Sequence, residues 1–537
     1  MIRKMAVLGL LIAWCGPARA ERGDVRRVVP TPSGRVTGLA FDGTHLWVAD
    51  HREDRLFALD PRTGGLVRTI PSPCRRPTGL AADGRFLWVV DGPEHAAYRL
   101  DPQAGRSDRR IELEAARPRG LAWDGSHLVV ADDWRDQIHE VDPEDGTSLR
   151  VFPAPSTGIS GLAFANGALW VADRQDDALY AVDFETGRTW FWLPSPGPHP
   201  TGIAAVGGDL VVADYQDDSL AFVDLSLGKR PYRTFRDREV VVEFSWTFWN
   251  LGPDPVPDAQ AFIAIPRSQP YQELHGPVQF DPPPAEVLRE PGGQEVARFA
   301  FADIGAGKKV QVVATARATL RAIRYVFLPS ETGGLQDIPP DISNAFVRDG
   351  SKLWLDHPRI REVAADLASR SRDYVTLVRN TYEYVIDHLS YDLAGGWNTA
   401  PMVLERGTGS CSEYSMTLMA LLRANKVPVR FAGALVVRGD DASWDDVFHR
   451  WVEVFFPRVG WVPVDANKGD QERPAQRAAG FGELENRYLV TTLTPGDTAA
   501  MRWTYVYRSQ YTCAGQCRVV EDATAEWSPP SAGAFAR

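Results

Sequence analysis

Three side chains in this sequence have types and spacing suited to covalent chemistry as a set: Cys411, His449 and Asp465. Cys411 follows the glycine-containing loop Gly407-Thr408-Gly409-Ser410 and opens a run in which Tyr414, Leu418, Leu421 and Leu422 share one helical stripe. A cysteine at a helix N-terminus gains from the helix dipole and the unpaired first-turn N–H groups, which favour thiolate over thiol. The same N–H groups can stabilise an oxyanion on an attacked carbonyl. A lone cysteine in this place is an inert small hydrophobe unless a base is at hand. Phe448 to Phe455 alternates as a strand, Pro457-Arg458-Val459-Gly460 can turn, and Trp461 to Asp465 can return antiparallel. A turn centred near Pro457 sets His449 directly opposite Asp465, on one face of the hairpin. Nucleophile, base and orienting carboxylate would then form a Cys-His-Asp triad.

The elements that hold this set are also legible. Asp356 can cap a helix with Pro358 in its first turn and Ile360, Val363 and Leu367 on one face. A second helix carries Tyr374, Val378, Tyr382, Val385 and Leu389. The Cys411 helix can end at Asn425 in a left-handed conformation, and Val427-Pro428 leads into a strand from Val429 to Val437.

Gly409-Ser410-Cys411-Ser412-Glu413-Tyr414, Leu422-Arg423-Ala424, Val427-Pro428-Val429-Arg430, His449-Arg450-Trp451-Val452-Glu453-Val454 and Gly460-Trp461-Val462-Pro463-Val464-Asp465 resemble the transglutaminase-like cysteine-enzyme superfamily, over roughly Asp356 to Asn467. The resemblance implies a papain-like α+β domain, with Cys411 as nucleophile, His449 as general base and acid, and Asp465 as orienting carboxylate. Two positions depart from the family pattern. Asn425-Lys426 stands where a glycine often follows the helix, and Arg450 replaces a small residue beside the histidine, where it would narrow or charge the cleft. Trp397 is open to two readings, an oxyanion-hole side chain or a core aromatic.

The first 230 residues have a different logic. Gly38, Gly79, Gly120, Gly161 and Gly202 are 41 residues apart, as are Asp50, Asp91, Asp132, Asp173 and Asp214, and again Asp60, Asp101, Asp142, Asp183 and Asp224. Short β-rich units at this period are propeller blades. Five units are visible, and Val25 to Val29 matches the outer strand that would complete the last blade. The units resemble NHL and lactonase-type propellers. Aspartates that recur in every unit read as turn caps rather than metal ligands, and Trp47, Trp88 and Trp170 as packing between blades.

Between ring and catalytic domain, strands such as Val240 to Phe248 and Val310 to Ala314 suggest an immunoglobulin-like β-sandwich. The expected organisation is multidomain, β-rich plus α+β: residues 21–230 a five-unit β-propeller, 236–330 the sandwich, 350–500 the transglutaminase-like domain, and 501–537 a C-terminal tail. Residues 1–20 read as a cleaved signal peptide: Arg3 and Lys4, apolar Met5 to Cys15, then Ala18-Arg19-Ala20. Trp14 is too large for the residue before a lipidated Cys15. Of the other cysteines, Cys513 and Cys517 could form a local disulfide or remain free thiols in the tail, and Cys74 has no evident partner.

A net charge of −11 argues against nucleic-acid binding, and no apolar run is long enough to span a bilayer. The expected function is an exported bacterial enzyme, periplasmic or secreted, that attacks amide bonds of a protein or peptide substrate through a thioester. Transfer to an amine, hydrolysis and deamidation are all open to such a triad. No cofactor or metal is expected, since no calcium loop is visible. Two alternatives differ in class. One is an envelope scaffold whose propeller binds a partner and whose last domain is inactive; the other is a lactonase-like or metal-dependent activity in the propeller.

Overall fold

The computed structural model describes residues 21–393, 396–439, 443–513 and 515–530, so the leader reading falls outside the described residues. Among the described residues no helix is long and apolar enough to cross a membrane.

The 41-residue units form five four-stranded antiparallel sheets around one axis. The first holds Val36–Phe41, Leu46–Asp50, Arg55–Leu59 and Leu66–Pro71 in that order. The fifth takes its outer strand from the other end of the unit: Val25–Pro30 pairs with Ser219–Asp224, which closes the ring. The recurrent glycines line the axis, where inner strands meet backbone to backbone. A Cβ on Gly79 would stand 2.0 Å from the Arg119 carbonyl oxygen, and one on Gly202 would stand 2.9 Å from that of Thr37. Only glycine allows that approach. The recurrent aspartates cap turns. Asp50 accepts N–H bonds from Arg52 and Glu53, and Asp132 from Ala116, Arg117, Trp134 and Arg135. Trp47 and Trp88 each pack into the core shared with the next blade.

In the sandwich, Tyr232–Asn250 pairs with Lys309–Tyr325 along nearly its full length. Residues 501–537 are not merely a tail. Val519–Ser528 pairs with the other edge of Tyr232–Asn250, and Tyr507–Thr512 joins Val256–Ile265 in the facing sheet. Cys513 and Cys517 are joined by a disulfide between these two strands. The reason is burial: Trp246 and Phe248, buried in the sandwich, need cover that the segment 236–330 alone does not supply, and Trp527 and Ala525 contribute to it.

The transglutaminase-like domain has an antiparallel sheet ordered Gly460–Val464, His449–Phe456, Val429–Val436, Tyr488–Thr494. Among the described residues six α-helices accompany it: α1 (Pro340–Phe346), α2 (Pro358–Ser369), α3 (Tyr374–His388), α4 (Ala400–Arg406), α5 (Cys411–Ala424) and α6 (Pro474–Ala479). α5 is buried on nearly every side, between the sheet and α2, α3 and α4, which explains its apolar composition. Two caps differ from expectation. His357, not Asp356, caps α2, accepting the Arg359 N–H at Nδ1, while Asp356 pairs with Arg361. The left-handed residue after α5 is Lys426, with φ of 64°; Asn425 keeps φ of −89° and donates its amide to the Ala364 carbonyl. That side-chain bond holds Asn425 near helical geometry and shifts the reversal one residue on.

The propeller docks on this domain. The outer strand Thr189–Pro194 packs on α6, and Arg372 bonds Asp183 at 2.9 Å. One continuous apolar core runs from Trp170 and Phe191 in the fourth blade to Leu418 in α5.

Candidate active site

Local sequence places Cys411. Gly407, at φ of 75°, ends α4 in a left-handed turn, Thr408-Gly409 pairs with Ser390-Tyr391, and Cys411 is the first residue of α5. The buried Glu413 carboxylate pins this corner. It accepts the Ser410 N–H at 3.1 Å, the Asn398 side-chain amide at 3.0 Å and the Arg406 guanidinium at 2.9 Å. Glu413 belongs to the motif by sequence, but its part as a clamp on three segments was not legible there. The only local signal was a Glu three residues after Ser410.

The structure brings Cys411, His449 and Asp465 together. His449 begins its strand, and its Nε2 lies 2.7 Å from Asp465 Oδ2. The Cys411 thiol adjoins the imidazole closely enough for each to shift the other's titration. With Nε2 engaged by the carboxylate, Nδ1 is the nitrogen left for sulfur. The hairpin register differs from the expected one. Val452 pairs with Val464 and Phe456 with Gly460, so the turn is Pro457-Arg458-Val459 and the pairing is two residues away from a direct His449–Asp465 pair. The two side chains still meet, as diagonal neighbours, because a two-residue shift preserves the face of a strand. Asp465 sits just beyond its strand, where Oδ1 also accepts the Lys468 N–H at 3.0 Å.

Burial alone would push the Cys411 thiol up, but the adjoining His449, with the nearby Arg450, holds it below its ordinary value. Burial likewise works against the imidazolium, yet Asp465 and then Cys411 outweigh it and raise His449 to about 10. Asp465 is pushed up by burial and brought below the usual carboxylate range by His449. All three directions describe a thiolate–imidazolium pair braced by a carboxylate. Tyr488 and Trp451 lie 5.5 Å and 5.8 Å from the imidazole ring and screen it from water.

Arg450 does not line the cleft. Its side chain is fully buried between the rings of Trp397, Phe431 and Tyr505, at 4.3, 4.3 and 3.9 Å. None of its guanidinium nitrogens finds a hydrogen-bond partner among the described residues. Aromatic faces surround the cation in place of hydrogen bonds, and burial brings it down to about 10. Trp397 is 42% exposed, which removes the core reading; it roofs Arg450 at the cleft edge. A cavity of about 470 Å³ opens beside Trp397, walled by Trp397, Phe448 and Tyr505 and, from the C-terminal strands of the sandwich, by Tyr507, Arg508 and Glu521; Cys411, His449 and Asp465 are not among its walls. The sandwich thus supplies one side of that cavity.

For metal, the nearest approach among the described residues is Asp124, His127 and Glu140 on the third blade, where Arg150 also binds Glu140. It is far in sequence and fold from the cysteine.

Residues 361–466 match the family model of the transglutaminase-like superfamily, and residues 81–234 match the model described as outer membrane protein assembly factor BamB. The chain therefore carries a transglutaminase-like domain of the cysteine-enzyme type behind a propeller. No curated protein matches it in sequence. Among solved structures it is similar to a protein of Cytophaga hutchinsonii provisionally described as a cysteine protease, at 14% identity and a TM-score of 0.39, over 54% of this chain and 92% of that one. It is also similar to glutaminyl cyclase of Myxococcus xanthus, at 18% identity and TM-score 0.35, over 38% of this chain and 97% of that one. A third is virginiamycin B lyase of Staphylococcus aureus, at 16% and 0.27, over 37% and 69%.

Proposed function

We propose that this protein is an exported cysteine enzyme that opens amide bonds of polypeptides through a thioester on Cys411. The observation that carries the reading is the Cys411–His449–Asp465 constellation at the head of α5, with the thiol held below its ordinary value. The thiolate adds to the amide carbon, and the first-turn N–H groups of α5 receive the oxyanion. His449 passes its proton to the leaving amine, and a second nucleophile, water or an amine, then releases the acyl group. Asp465 keeps the imidazole oriented, and the neutral imidazole left by the first step takes the proton of the incoming water or amine in the second.

A polypeptide substrate is supported by the surroundings. Trp397 and Val447 are exposed at the cavity beside Arg450, and Tyr391 is exposed near Cys411; apolar surface of this kind suits an extended chain. Export is supported by the leader composition and by the Cys513–Cys517 disulfide, a bond typical of oxidising compartments. An envelope partner on the propeller belongs to the same proposal.

Labelling with an electrophilic peptide-amide probe tests the reading. Wild type is expected to carry the adduct on Cys411, His449→Ala to label far more slowly, and Cys411→Ala not at all. Unchanged labelling or amidase turnover in Cys411→Ala would remove the reading of Cys411 as nucleophile, and absence of both in the wild type would leave the scaffold alternative.

A further inference from the structure

The propeller repeats carry their own test for function. A residue that recurs at the same place in every blade serves the fold. A residue that breaks the period in a place facing the axis has another reason to be there. Three such places open on one end of the ring. Two residues before the inner-strand hydroxyl, the blades carry Arg35, Arg76, Arg117, Gly158 and His199. The residue after each strand-end aspartate is His51, Gly92, Asp133, Arg174 and Tyr215. The hydroxyl place itself reads Thr37, Thr78, Arg119, Ser160 and Thr201.

That third row exposes the break. Four of the five positions carry a hydroxyl, and each of these ties one blade to the next. Thr37 donates to the Pro77 carbonyl at 2.7 Å, Thr78 to Pro118 at 3.1 Å, Ser160 to Pro200 at 2.7 Å and Thr201 to Val36 at 3.0 Å. In the third blade Arg119 stands there instead, so this tie is absent and a guanidinium points to the axis. Repetition cannot account for it.

Arg119 lines a cavity of about 480 Å³ at the mouth of the ring, together with Arg76, Arg117 and Arg174. Such a volume suits a small organic ligand. His51, His95, His199, Tyr215 and three threonines add polar groups to the lining, and no Asp or Glu lines it. Behind the arginines one fully buried carboxylate, Asp133, binds Arg117, Arg119 and Arg174, the last at 2.9 Å. One negative charge therefore organises three positive ones and leaves them undercompensated. Arg76 has no side-chain ion pair or hydrogen bond among the described residues. The strand-end aspartates stand outside the lining, held by backbone N–H groups except for one buried Asp50 oxygen without a partner, so they temper the positive charge from behind while the arginines face the cavity. A cationic funnel in a chain of net charge −11 is a local concentration, not a reflection of composition.

The rest of the wall is flat and aromatic. Tyr215 lies between His51 and His199, with ring centroids 6.3 Å and 5.8 Å away, and Arg35 stands over it at 5.5 Å. Guanidinium forks on one side match the oxygens of a carboxylate or phosphoryl group, and the ring surface opposite can take a planar or apolar remainder.

We propose that this funnel is a second ligand site, independent of Cys411, which binds a small molecule or a terminal group through a dianionic oxyanion. The shared chemistry is a dense pair of negative charges on oxygen, from a phosphoryl group or from two carboxylates. Binding there attaches the ring to an anionic ligand while the cleft at α5 acts elsewhere on the molecule.

Calorimetric titration of the full chain with inorganic phosphate and, separately, with succinate tests this. One or both are expected to bind at one site per chain, more weakly as salt rises, and the stronger of the two identifies the oxyanion source. Arg119→Thr restores the hydroxyl of the other blades, so it removes the charge while supplying a residue the fold already uses. It is expected to weaken binding by about tenfold or more, as is Arg174→Gln. Cys411→Ala should bind as wild type does. If neither anion binds at millimolar concentration, or if both arginine variants bind undiminished, the proposal is overturned.

Discussion

The propeller and the transglutaminase-like domain place chemistry in opposite ways. In the ring, residues that repeat build the scaffold: Gly79 and its equivalents allow backbone contact at the axis, and Asp132 and its equivalents cap turns. Its candidate ligand site lies where the repeat fails, at Arg119, Asp133 and Arg174. The last domain has no repeat to depart from. Its candidate site is assembled once, from a helix start, a strand start and a strand end that are 38 and 16 residues apart along the chain. Periodicity therefore identifies function by exception in one region, while in the other function follows from convergence of unlike elements.

The sharpest break in this comparison is Cys411→Ala. Amide turnover is expected to fall by about ten-thousand-fold or more, while phosphate or succinate binding at the ring stays unchanged. Paired activity and calorimetry on one preparation separate the two regions. Asp465→Asn comes next, with a fall of roughly a hundred- to ten-thousand-fold. It also has a pH signature. Asp465 raises the His449 proton affinity, so wild-type labelling should decline only as pH climbs toward about 10, and the alkaline limb of Asp465→Asn should move to lower pH. In the same way, the stability that protonated His449 contributes is complete below its unfolded value of 6.5 and is lost as pH rises through about 10.

Gly79→Ala tests the scaffold half. Its Cβ would meet the Arg119 carbonyl oxygen at 2.0 Å, so a loss of about 3 kcal/mol is expected in denaturant unfolding. Gly43→Ala, at φ of 92° in open space, should cost only about 1 kcal/mol. Equal effects would mean that axial contact does not explain the repeat. The smallest expected effect on folding is that of Arg450→Met. An apolar chain of similar length among Trp397, Phe431 and Tyr505 should change stability by about 1 kcal/mol or less. The Cys411 thiol should rise all the same, because a nearby positive charge is gone. Thiolate absorbance against pH reads that shift apart from folding, and Arg450→Lys should restore part of it.

Much of this molecule could be read along the chain. The 41-residue period named the blades, and the alternation from Phe448 to Asp465 put a base and a carboxylate on one face. Both signals are local: a strand repeats every two residues, and a blade repeats its own turns. The register of the hairpin was off by two, since alternation specifies a face and leaves the pairing partner to turn geometry. Glu413 and Arg450 were visible as letters, but their roles depend on Asn398, Arg406, Phe431 and Tyr505, which no spacing rule brings near them.

The sequence by itself determined the kinds of element, the faces they present and the residue types able to react. Tertiary structure decided which distant segments meet. Val519–Ser528 joins Tyr232–Asn250, and Tyr507–Thr512 joins Val256–Ile265, each pairing settled by exposed edges and apolar cover rather than by any local pattern. Backbone periodicity is a property of neighbouring residues, whereas the burial of a strand edge or a guanidinium depends on everything folded against it.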